Sequence, residues 1–500
     1  MAWEGRDSPE MDDLSFLKEN GMPNEEIQRL MNQGLTLKEI AAAARRLVDN
    51  GRPLTDPREA VREVLPDFFD ERGHFLHNIL GDYLTETYGC CKINGAAHIY
   101  DNGIYRPGEN ALHGAMVDLL PSLSSAKRRE TFQYIKVCRR TPVKELSPPN
   151  LIPFRHRVYD LKTGEFLDYS KDLVFLNRFP WDYDPEAPEC PAVTDTLNAI
   201  ANGDSEVVKL LLESFGNCFH LLNSYRGAVA LYGPSGSNGK STLLNMLRQL
   251  VGAENASFLS LQDTAERFRL MEVYGKAVNI GDDISGAYLP DSSLFKKLVT
   301  GETVLGEKKG QDPVSFRSYA KFFFALNELP PVSDKSSAFF SRILLVPMTA
   351  DFSTVGKRDP GLKDKQWSPE EMAYLTRLAM EGLERLRAQG DFTRPDCVRR
   401  AMAEYEIECN PVLGFLLEYG NVVGEPTQKV YNDFRSWCED NGHRSIGNAL
   451  DLLQLITEDV EENFIGAAAD NDVKARASMT VSALYILGDY LRNIQKEATP

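Results

Sequence analysis

The sequence lacks an apolar run of the roughly 18 residues that a bilayer-spanning helix needs. Its first residues, MAWEGRDSPEMDD, are acidic where a secretory signal would be basic and then apolar. The eight cysteines are scattered and include no C-x-x-C pair, which argues against a zinc site. We therefore expect a cytoplasmic protein with reduced thiols and no membrane partner.

Positive charge is also scarce, with 56 Lys and Arg against 73 Asp and Glu and a net charge of −17. This balance argues against a protein coated with a nucleic-acid-binding surface. Residues 231–350, however, hold 13 Lys and Arg and 12 Asp and Glu, so the acidity lies elsewhere. Such a distribution fits a protein that meets nucleic acid through a narrow channel. The length of 500 residues predicts two to four domains.

A glycine-rich turn lies between a short apolar run and a helical pattern, in AVALYGPSGSNGKSTLLNML at 228–247. Inward-turned backbone N–H groups, a helix start and a lysine ammonium together form a phosphate socket. The loop is one residue longer than G-x-x-x-x-G-K-[ST], which has glycine where this chain has proline. The alternative is a Gly/Ser turn with a chance lysine. The predicted ATP-binding residues are Gly233, Pro234, Ser235, Gly236, Ser237, Asn238, Gly239, Lys240, Ser241 and Thr242.

Two acidic residues follow the next predicted strand. KAVNIGDDIS predicts a strand over 277–280 that delivers Asp282 and Asp283, 42 residues past Lys240. A hydrolytic P-loop needs such acids to hold the metal and to activate the attacking water. We assign Asp282 to Mg²⁺ together with the Ser241 hydroxyl, and Asp283 to water activation. The alternative is a surface turn that ends a strand.

Three further polar features follow along the chain. ETVLGEKKGQDPVSF can form a hairpin with Lys308 and Lys309 near its tip, and KFFFAL predicts a buried strand that ends at Asn327. A single amide at that place fits a residue that senses the γ-phosphate or orients water. Arg342 precedes a last apolar strand, where it can reach a neighbouring subunit's phosphate as an arginine finger. Taken singly, the lysines also fit a solvated turn, and Arg342 a surface ion pair.

In this order, these motifs resemble the superfamily 3 helicases, most closely the phage/plasmid and poxvirus-type primase-helicase branch. The stretches NGKST, LVTGETVLGEKK, SFRSYAKFFFALNELPPVSD and SRILLVPM carry the resemblance. It implies an α/β AAA+-like P-loop ATPase core, a parallel sheet with flanking helices. It also implies a hexameric ring that uses ATP and Mg²⁺ to translocate 3′ to 5′ on single-stranded or forked DNA. The implied catalytic residues are Lys240, Asp282, Asp283, Asn327 and Arg342, and the implied DNA contacts are Lys308 and Lys309.

The predicted organisation has five parts. They are an N-terminal helical segment over 1–70, an α+β domain over 71–195, the ATPase core over 196–350, a helical extension over 351–410 and a winged-helix-like domain over 411–500.

Local patterns add detail. Hairpins are predicted around Asp101-Asn102-Gly103 and around Lys162–Gly164. SPEEMAYLTRLAMEGLERLRAQG predicts an amphipathic helix with a capped start and a closing glycine.

These features predict a replicative DNA helicase of a phage, plasmid or mobile element in a bacterial host's cytoplasm. A separate primase or polymerase is a further expected partner. Two alternatives stay open. In the first, the ATPase melts or marks an origin and recruits another helicase. In the second, ATP only drives the assembly of a DNA-binding scaffold, and the pair Asp282-Asp283 counts against it.

Overall fold

The computed structural model describes residues 9–32, 37–38, 40–41, 44–45, 68–70, 72–284, 286–307, 313–334, 337–353, 361–409, 415, 418 and 427–441. The chain forms two compact units, Met1–Asp182 with Asp312–Phe316 and Tyr183–Gln311 with Arg317–Pro500. Among the described helices, none combines the length and the apolar character that a membrane crossing requires.

The first unit combines helices with two small sheets. The sheets are antiparallel and three-stranded, with the orders β1-β2-β3 and β4-β5-β6. The helices whose full extent is described are α1 (Pro9–Glu19), α2 (Asn24–Asn32), α3 (His77–Thr87), α4 (Glu109–Leu119) and α5 (Ser125–Val137). The strands are β1 (Cys91–Ile93), β2 (Ala96–Asp101), β3 (Ile104–Pro107), β4 (Leu151–Pro153), β5 (Val158–Asp160) and β6 (Glu165–Leu167).

Both predicted hairpins are present in the first unit. Asp101 pairs with Ile104, and between them Asn102 and Gly103 have φ values of 47° and 96°. A type I′ turn needs positive φ at both central residues, which asparagine and glycine tolerate best. The second hairpin joins β5 to β6. Local turn chemistry therefore fixes the register of these strands.

One core of the first unit lies between α3, α4, α5 and the sheet that contains β2. Its fully or nearly fully buried side chains come from all four elements, and include Leu80, Leu84, Ile99, Leu112, Met116 and Ile135. Burial of side chains of this size contributes about 1.5–3 kcal/mol each, before the entropy of ordering the chain is subtracted.

The second unit carries most of the remaining elements. Its helices are α6 (Pro191–Ile200), α7 (Ser205–Asn217), α8 (Lys240–Val251), α9 (Ser293–Thr300), α10 (Ser337–Phe340), α11 (Pro369–Gln389), α12 (Asp396–Cys409) and α13 (Thr427–Asp440). The remaining strands among the described residues are β7 (Ala228–Tyr232), β8 (Ala256–Ser257), β9 (Val278–Ile284), β10 (Thr303–Gly306), β11 (Val314–Arg317), β12 (Lys321–Leu326) and β13 (Ile343–Pro347).

A parallel five-stranded sheet forms the centre of the second unit, in the order β13-β7-β12-β9-β8. β12, with the sequence KFFFAL, is buried at every position. A parallel sheet needs long crossovers between its strands, and α8 lies in the crossover from β7 to β8. The predicted α/β core, a parallel sheet with flanking helices, is confirmed.

The predicted amphipathic helix is α11. The Ser368 hydroxyl accepts the Glu371 N–H at 3.2 Å, and the Glu371 carboxylate accepts the Ser368 N–H at 2.7 Å. These reciprocal bonds satisfy two donors that the first turn of a helix leaves unpaired. Gly390 ends the helix with a left-handed φ of 79°.

Candidate nucleotide-binding site

The glycine-rich loop leaves the sheet at the carboxyl end of its second strand, β7. Gly233 N–H donates to Leu326 O at 3.0 Å, so Gly233 continues the pairing with β12. The turn itself therefore runs from Pro234 to Gly239, six residues. This length equals the usual pattern. The extra residue expected from the sequence thus belongs to the strand end.

A buried asparagine shapes the inside of this turn. Asn238 is 2% exposed, and its Nδ2 donates to Ser235 O at 2.8 Å. A Cβ on Gly233 would lie 2.1 Å from Asn238 Nδ2, which explains why glycine is needed there. Ser237 and Gly239 have φ values of 59° and 89°. Left-handed residues within a turn bring successive N–H groups to one side, which is the geometry of an anion nest.

The lysine of the loop is the first residue of α8. Lys240 is 8% exposed, and its Nζ donates to Gly233 O at 2.7 Å. No side chain caps the start of α8 at Gly239, and the N-terminal N–H groups of a helix attract anions. Ser241 and Thr242 follow in the first turn, where Thr242 is nearly buried.

An open cleft of about 720 Å³ lies beside the loop. One wall is the loop, with Pro234 to Ser237, and the other is the segment after β13, from Pro347 to Ser353. Phe352 N–H donates to Ser237 O at 2.8 Å, which fixes this second wall to the loop. A Cβ on Gly236 would meet no atom within 4 Å, so the backbone there faces open space. This open space beside the loop backbone leaves room for a phosphate group.

Asp282 and Asn327 lie at the same edge of the sheet as the loop. Leu326, the last residue of β12, pairs with Tyr232 at the end of β7 and with Ile284 at the end of β9. Asn327 follows directly and is exposed, and Asp282 is also exposed. The carboxyl ends of parallel strands are where α/β sheets bind their ligands.

The strand that carries the two acids is longer than predicted. β9 runs to Ile284 rather than ending at residue 280, so Asp282 and Asp283 belong to the strand and not to a turn after it. Phe324 pairs with Gly281 and Leu326 with Ile284, so the two acids lie opposite the single residue Ala325, at an irregularity in the pairing of the two strands. The side chain of Asp283 lies outside the described part of the chain.

Arg342 lies at the opposite edge of the sheet. Its carbonyl oxygen accepts the N–H of Ala228 at 2.7 Å, at the start of both β7 and β13. A five-residue strand spans about 17 Å, so Arg342 is that far from its own chain's loop. Its Nη1 donates to Ala338 O, and its Nε has no hydrogen-bond partner among the described residues. Burial, and next the charge of Arg226, lower the pKa of Arg342.

The two hairpin lysines, Lys308 and Lys309, lie outside the described residues. The strands on either side of them, β10 and β11, form a two-stranded sheet as the hairpin prediction requires.

Sequence reasoning missed the second wall of the cleft. Met348, Thr349, Asp351 and Ser353 line it, yet they follow β13 with no glycine or lysine signal. The polar residues that follow the apolar strand β13 could have indicated this wall, because the carboxyl ends of parallel strands meet at one edge of the sheet.

Among the described residues, no three His, Cys, Asp or Glu side chains cluster as a metal site. A Mg²⁺ ion at a P-loop needs only one or two carboxylates beside phosphate and water.

Two family models match separate parts of the chain. One, described as D5 N terminal like, matches residues 26–201. The other, described as Family of unknown function (DUF5906), matches residues 231–342, which contain the loop, both acids, Asn327 and Arg342.

The chain is also similar to two viral proteins. It is 24% identical over 207 residues to "Putative helicase V13" of Sputnik virophage, a match that covers 38% of this chain and 26% of that protein. It is 23% identical over 332 residues to "Putative helicase 121R" of Invertebrate iridescent virus 3, covering 58% and 35%. The matches thus span about a quarter and a third of these curated relatives.

Among solved structures, the chain is similar to "The A form apo structure of NrS-1 C terminal region-CTR", with a TM-score of 0.43 and 13% identity over 81% of this chain and 87% of that one. The sequence matches agree with a relation to viral helicases, and the primase-helicase branch stays a prediction. Superfamily 3 itself stays a prediction.

Proposed function

We propose that this chain is an ATP-dependent replicative DNA helicase of a virus, phage, plasmid or related mobile element. One observation carries the proposal: the pairing of Leu326 with both Tyr232 and Ile284 aligns the ends of three strands. The glycine-rich loop, Asp282 and Asn327 therefore share one edge of the sheet. The names of the two viral relatives support the same activity.

ATP fits the loop. Positive φ at Ser237 and Gly239, the uncapped start of α8 and the ammonium of Lys240 all favour bound phosphate. The Nζ of Lys240 bonds to Gly233 O and would exchange that carbonyl for phosphate oxygens. The residues that hold ATP are those from Gly233 to Thr242.

Hydrolysis needs a metal and an ordered water molecule. The Ser241 hydroxyl and the Asp282 carboxylate would hold Mg²⁺, which neutralises charge on the phosphates when it is bound. We assign activation of the water to Asp283. We assign Asn327, which follows the strand between β7 and β9, to contact with the terminal phosphate or that water.

Arg342 supports assembly into a ring. It is about 17 Å from the loop of its own chain, so we assign it to the nucleotide of another subunit. We infer a ring of identical subunits, hexameric by resemblance, with an AAA+-like core whose sheet has the order β13-β7-β12-β9-β8.

The ring would enclose single-stranded DNA and move along it from 3′ to 5′. Lys308 and Lys309, between β10 and β11, would contact backbone phosphates without reading the base sequence. A separate primase or polymerase would use the single strand that results.

ATP hydrolysis with and without single-stranded DNA tests this function. We expect DNA to raise turnover several-fold in the wild type, and Lys309→Ala to remove the stimulation while basal hydrolysis persists. Lys240→Ala is the control that abolishes hydrolysis altogether. Turnover that ignores DNA would favour the scaffold, and DNA-stimulated turnover without strand displacement would favour the initiator or loader.

A further inference from the structure

A strongly basic segment lies in the first unit, far along the chain from the hairpin lysines. Residues 125–144, SAKRRETFQYIKVCRRTPVK, hold seven Lys and Arg and one Glu in a chain whose net charge is −17. Helix α5 forms the first part of this segment. A local concentration of positive charge on an acidic protein attracts a polyanion to that place.

The helix directs its charges outward because its other side is buried. Thr131 and Ile135 are 0% exposed. Arg129, Gln133 and Lys136 recur at spacings of four and three residues within α5, which places them on one stripe of the helix. Arg139 and Arg140 follow shortly after the helix ends at Val137. Arg129, Arg139 and Arg140 are exposed. The charged stripe is therefore open to solvent within the described part of this unit.

A cleft of about 510 Å³ opens along this stripe, and we name it the basic cleft. It is lined by His77, Arg129, Glu130, Gln133, Tyr134 and Val137. Its lining therefore combines an aliphatic side chain, two rings, an amide, an arginine and one carboxylate. A volume of this size accommodates a nucleobase with its sugar.

Polar bonds hold the aromatic wall of the basic cleft in place. Tyr134 Oη donates to Asp82 Oδ1 at 2.8 Å, and Arg140 Nη2 donates to Tyr134 Oη at 2.7 Å and to Asp82 Oδ2 at 2.8 Å. The ring of His77 meets Tyr134 edge-on with centroids 5.8 Å apart. A fixed ring beside arginines offers stacking and a phosphate contact together.

Aromatic rings also accompany the start of the helix. Lys127 Nζ lies 4.9 Å from the ring centroid of Phe69 and 5.4 Å from that of Phe75. Phe69 is 42% exposed. Alternating cations and aromatic rings are the pattern by which proteins bind single-stranded nucleic acid without sequence preference.

We propose that the basic cleft, the stripe of α5 and the two arginines that follow the helix form a second binding surface for single-stranded nucleic acid, in addition to the hairpin. The inference rests on the proposed function, since it assigns an additional contact to the same DNA substrate. The surface would hold the strand by its phosphates and stack one or more bases on Tyr134 and His77.

Anisotropy of a labelled oligothymidylate, measured without ATP between 50 and 200 mM salt, tests the proposal. The surface variant combines Arg129→Gln, Lys136→Gln and Arg139→Gln, which leaves the Arg140–Asp82 ion pair intact. The matched control combines Arg106→Gln, Arg155→Gln and Arg157→Gln, three exposed arginines of the same unit. Thermal unfolding of both variants checks that the fold persists.

We expect the surface variant to bind roughly tenfold more weakly and to lower the salt slope by about 2, since each phosphate contact contributes about 0.7. The control should bind like the wild type. A surface variant that matches the control overturns the inference, and the proposed function stands if Lys308→Ala/Lys309→Ala still weakens binding. A wild type that binds no DNA overturns both.

Discussion

Gly216 of α7 and Gly382 of α11 let these two helices approach until their backbones touch. A Cβ on Gly216 would lie 2.0 Å from Ala379 O, and a Cβ on Gly382 would lie 2.4 Å from Leu212 O. Separations under 3.0 Å from backbone atoms force the helices apart. The two glycines thus set the spacing of the helix pair.

We expect Gly216→Ala to destabilise the second unit by about 3 kcal/mol, because overpacking against backbone cannot relax by a rotamer change. Chemical denaturation of the full chain measures this. Gly114→Ala in α4 is the matched control, since a Cβ there meets nothing within 4 Å. It should stabilise by about 0.5–1 kcal/mol, the usual gain for alanine in a helix. Equal effects of both substitutions would contradict the packing argument.

Glu213 on the same helix is 0% exposed, and its carboxylate is fully engaged. It accepts Arg385 Nε at 2.7 Å, Gln389 Nε2 at 3.1 Å and the N–H and hydroxyl of Thr393 at 2.7 and 2.6 Å. We expect Glu213→Gln to cost about 2 kcal/mol in the free energy of unfolding, since it leaves Arg385 without its countercharge at a partly exposed site.

An exposed pair on the same helix is the control for Glu213. Glu206 accepts Lys209 Nζ at 2.7 Å, and both side chains are about half exposed. Glu206→Gln should leave the denaturation midpoint unchanged, because solvent screens such pairs. A comparable loss in both variants would show that helix charge, and not burial, is responsible.

His98 makes the first unit sensitive to acid. It is 0% exposed, its Nδ1 lies 2.9 Å from Ala96 O, and burial lowers its pKa to about 4. In the unfolded chain the imidazole has its ordinary pKa of 6.5, so between pH 6.5 and about 4 it binds a proton there but not in the folded chain. Stability is therefore lost as pH falls from about 6.5 towards 4. Thermal unfolding measures this: the melting temperature should fall less between pH 7 and pH 5 for His98→Gln than for the wild type. Equal decreases in the two proteins would refute the prediction.

The close contact of Gly233 with Asn238 allows a rescue experiment. Gly233→Ala places a Cβ 2.1 Å from Asn238 Nδ2 and should weaken binding of a fluorescent ATP analogue at least tenfold. Asn238→Ala alone should weaken it less. The double variant should bind better than Gly233→Ala, because the clashing amide is gone. Additive losses would mean that the two residues act independently.

Arg342 should be dispensable for binding and required for turnover. We expect Arg342→Ala to bind ATP like the wild type and to lose at least a hundredfold in hydrolysis, the scale of an arginine finger. Mixing it with Lys240→Ala should restore part of the activity, since some interfaces then combine an intact loop with an intact arginine. If the mixture recovers no hydrolysis although both variants still assemble, Arg342 has a structural role instead.

Local chemistry made several elements predictable. Asn102-Gly103 dictates its turn, and Ser368 with Glu371 caps a helix, because the bonds join residues at most three apart. The glycine-rich loop was predictable for the same reason. The strand order, the Gly216–Gly382 contact and the second wall of the cleft at 347–353 were not, because they join segments that are distant in sequence.

The acids of β9 show where local reasoning misleads. Aspartate is depleted in strands, so the sequence predicts a strand that ends at residue 280, before Asp282 and Asp283. Pairing with β12, some 40 residues later, resumes at Ile284 and so includes both acids in the strand, at an irregularity of its register. Tertiary contacts therefore overrode propensity at the place where the site needs its charge.

The position of β7 has a consequence for biosynthesis. Its two neighbours, β12 and β13, emerge from the ribosome about 90 and 115 residues after it. Until residue 347 has been made, the strand before the loop lacks a neighbour on at least one side, and an unpaired edge is an aggregation hazard. We expect nascent chains that stop before β13 to require chaperones, and we expect the loop to acquire its shape only late in synthesis.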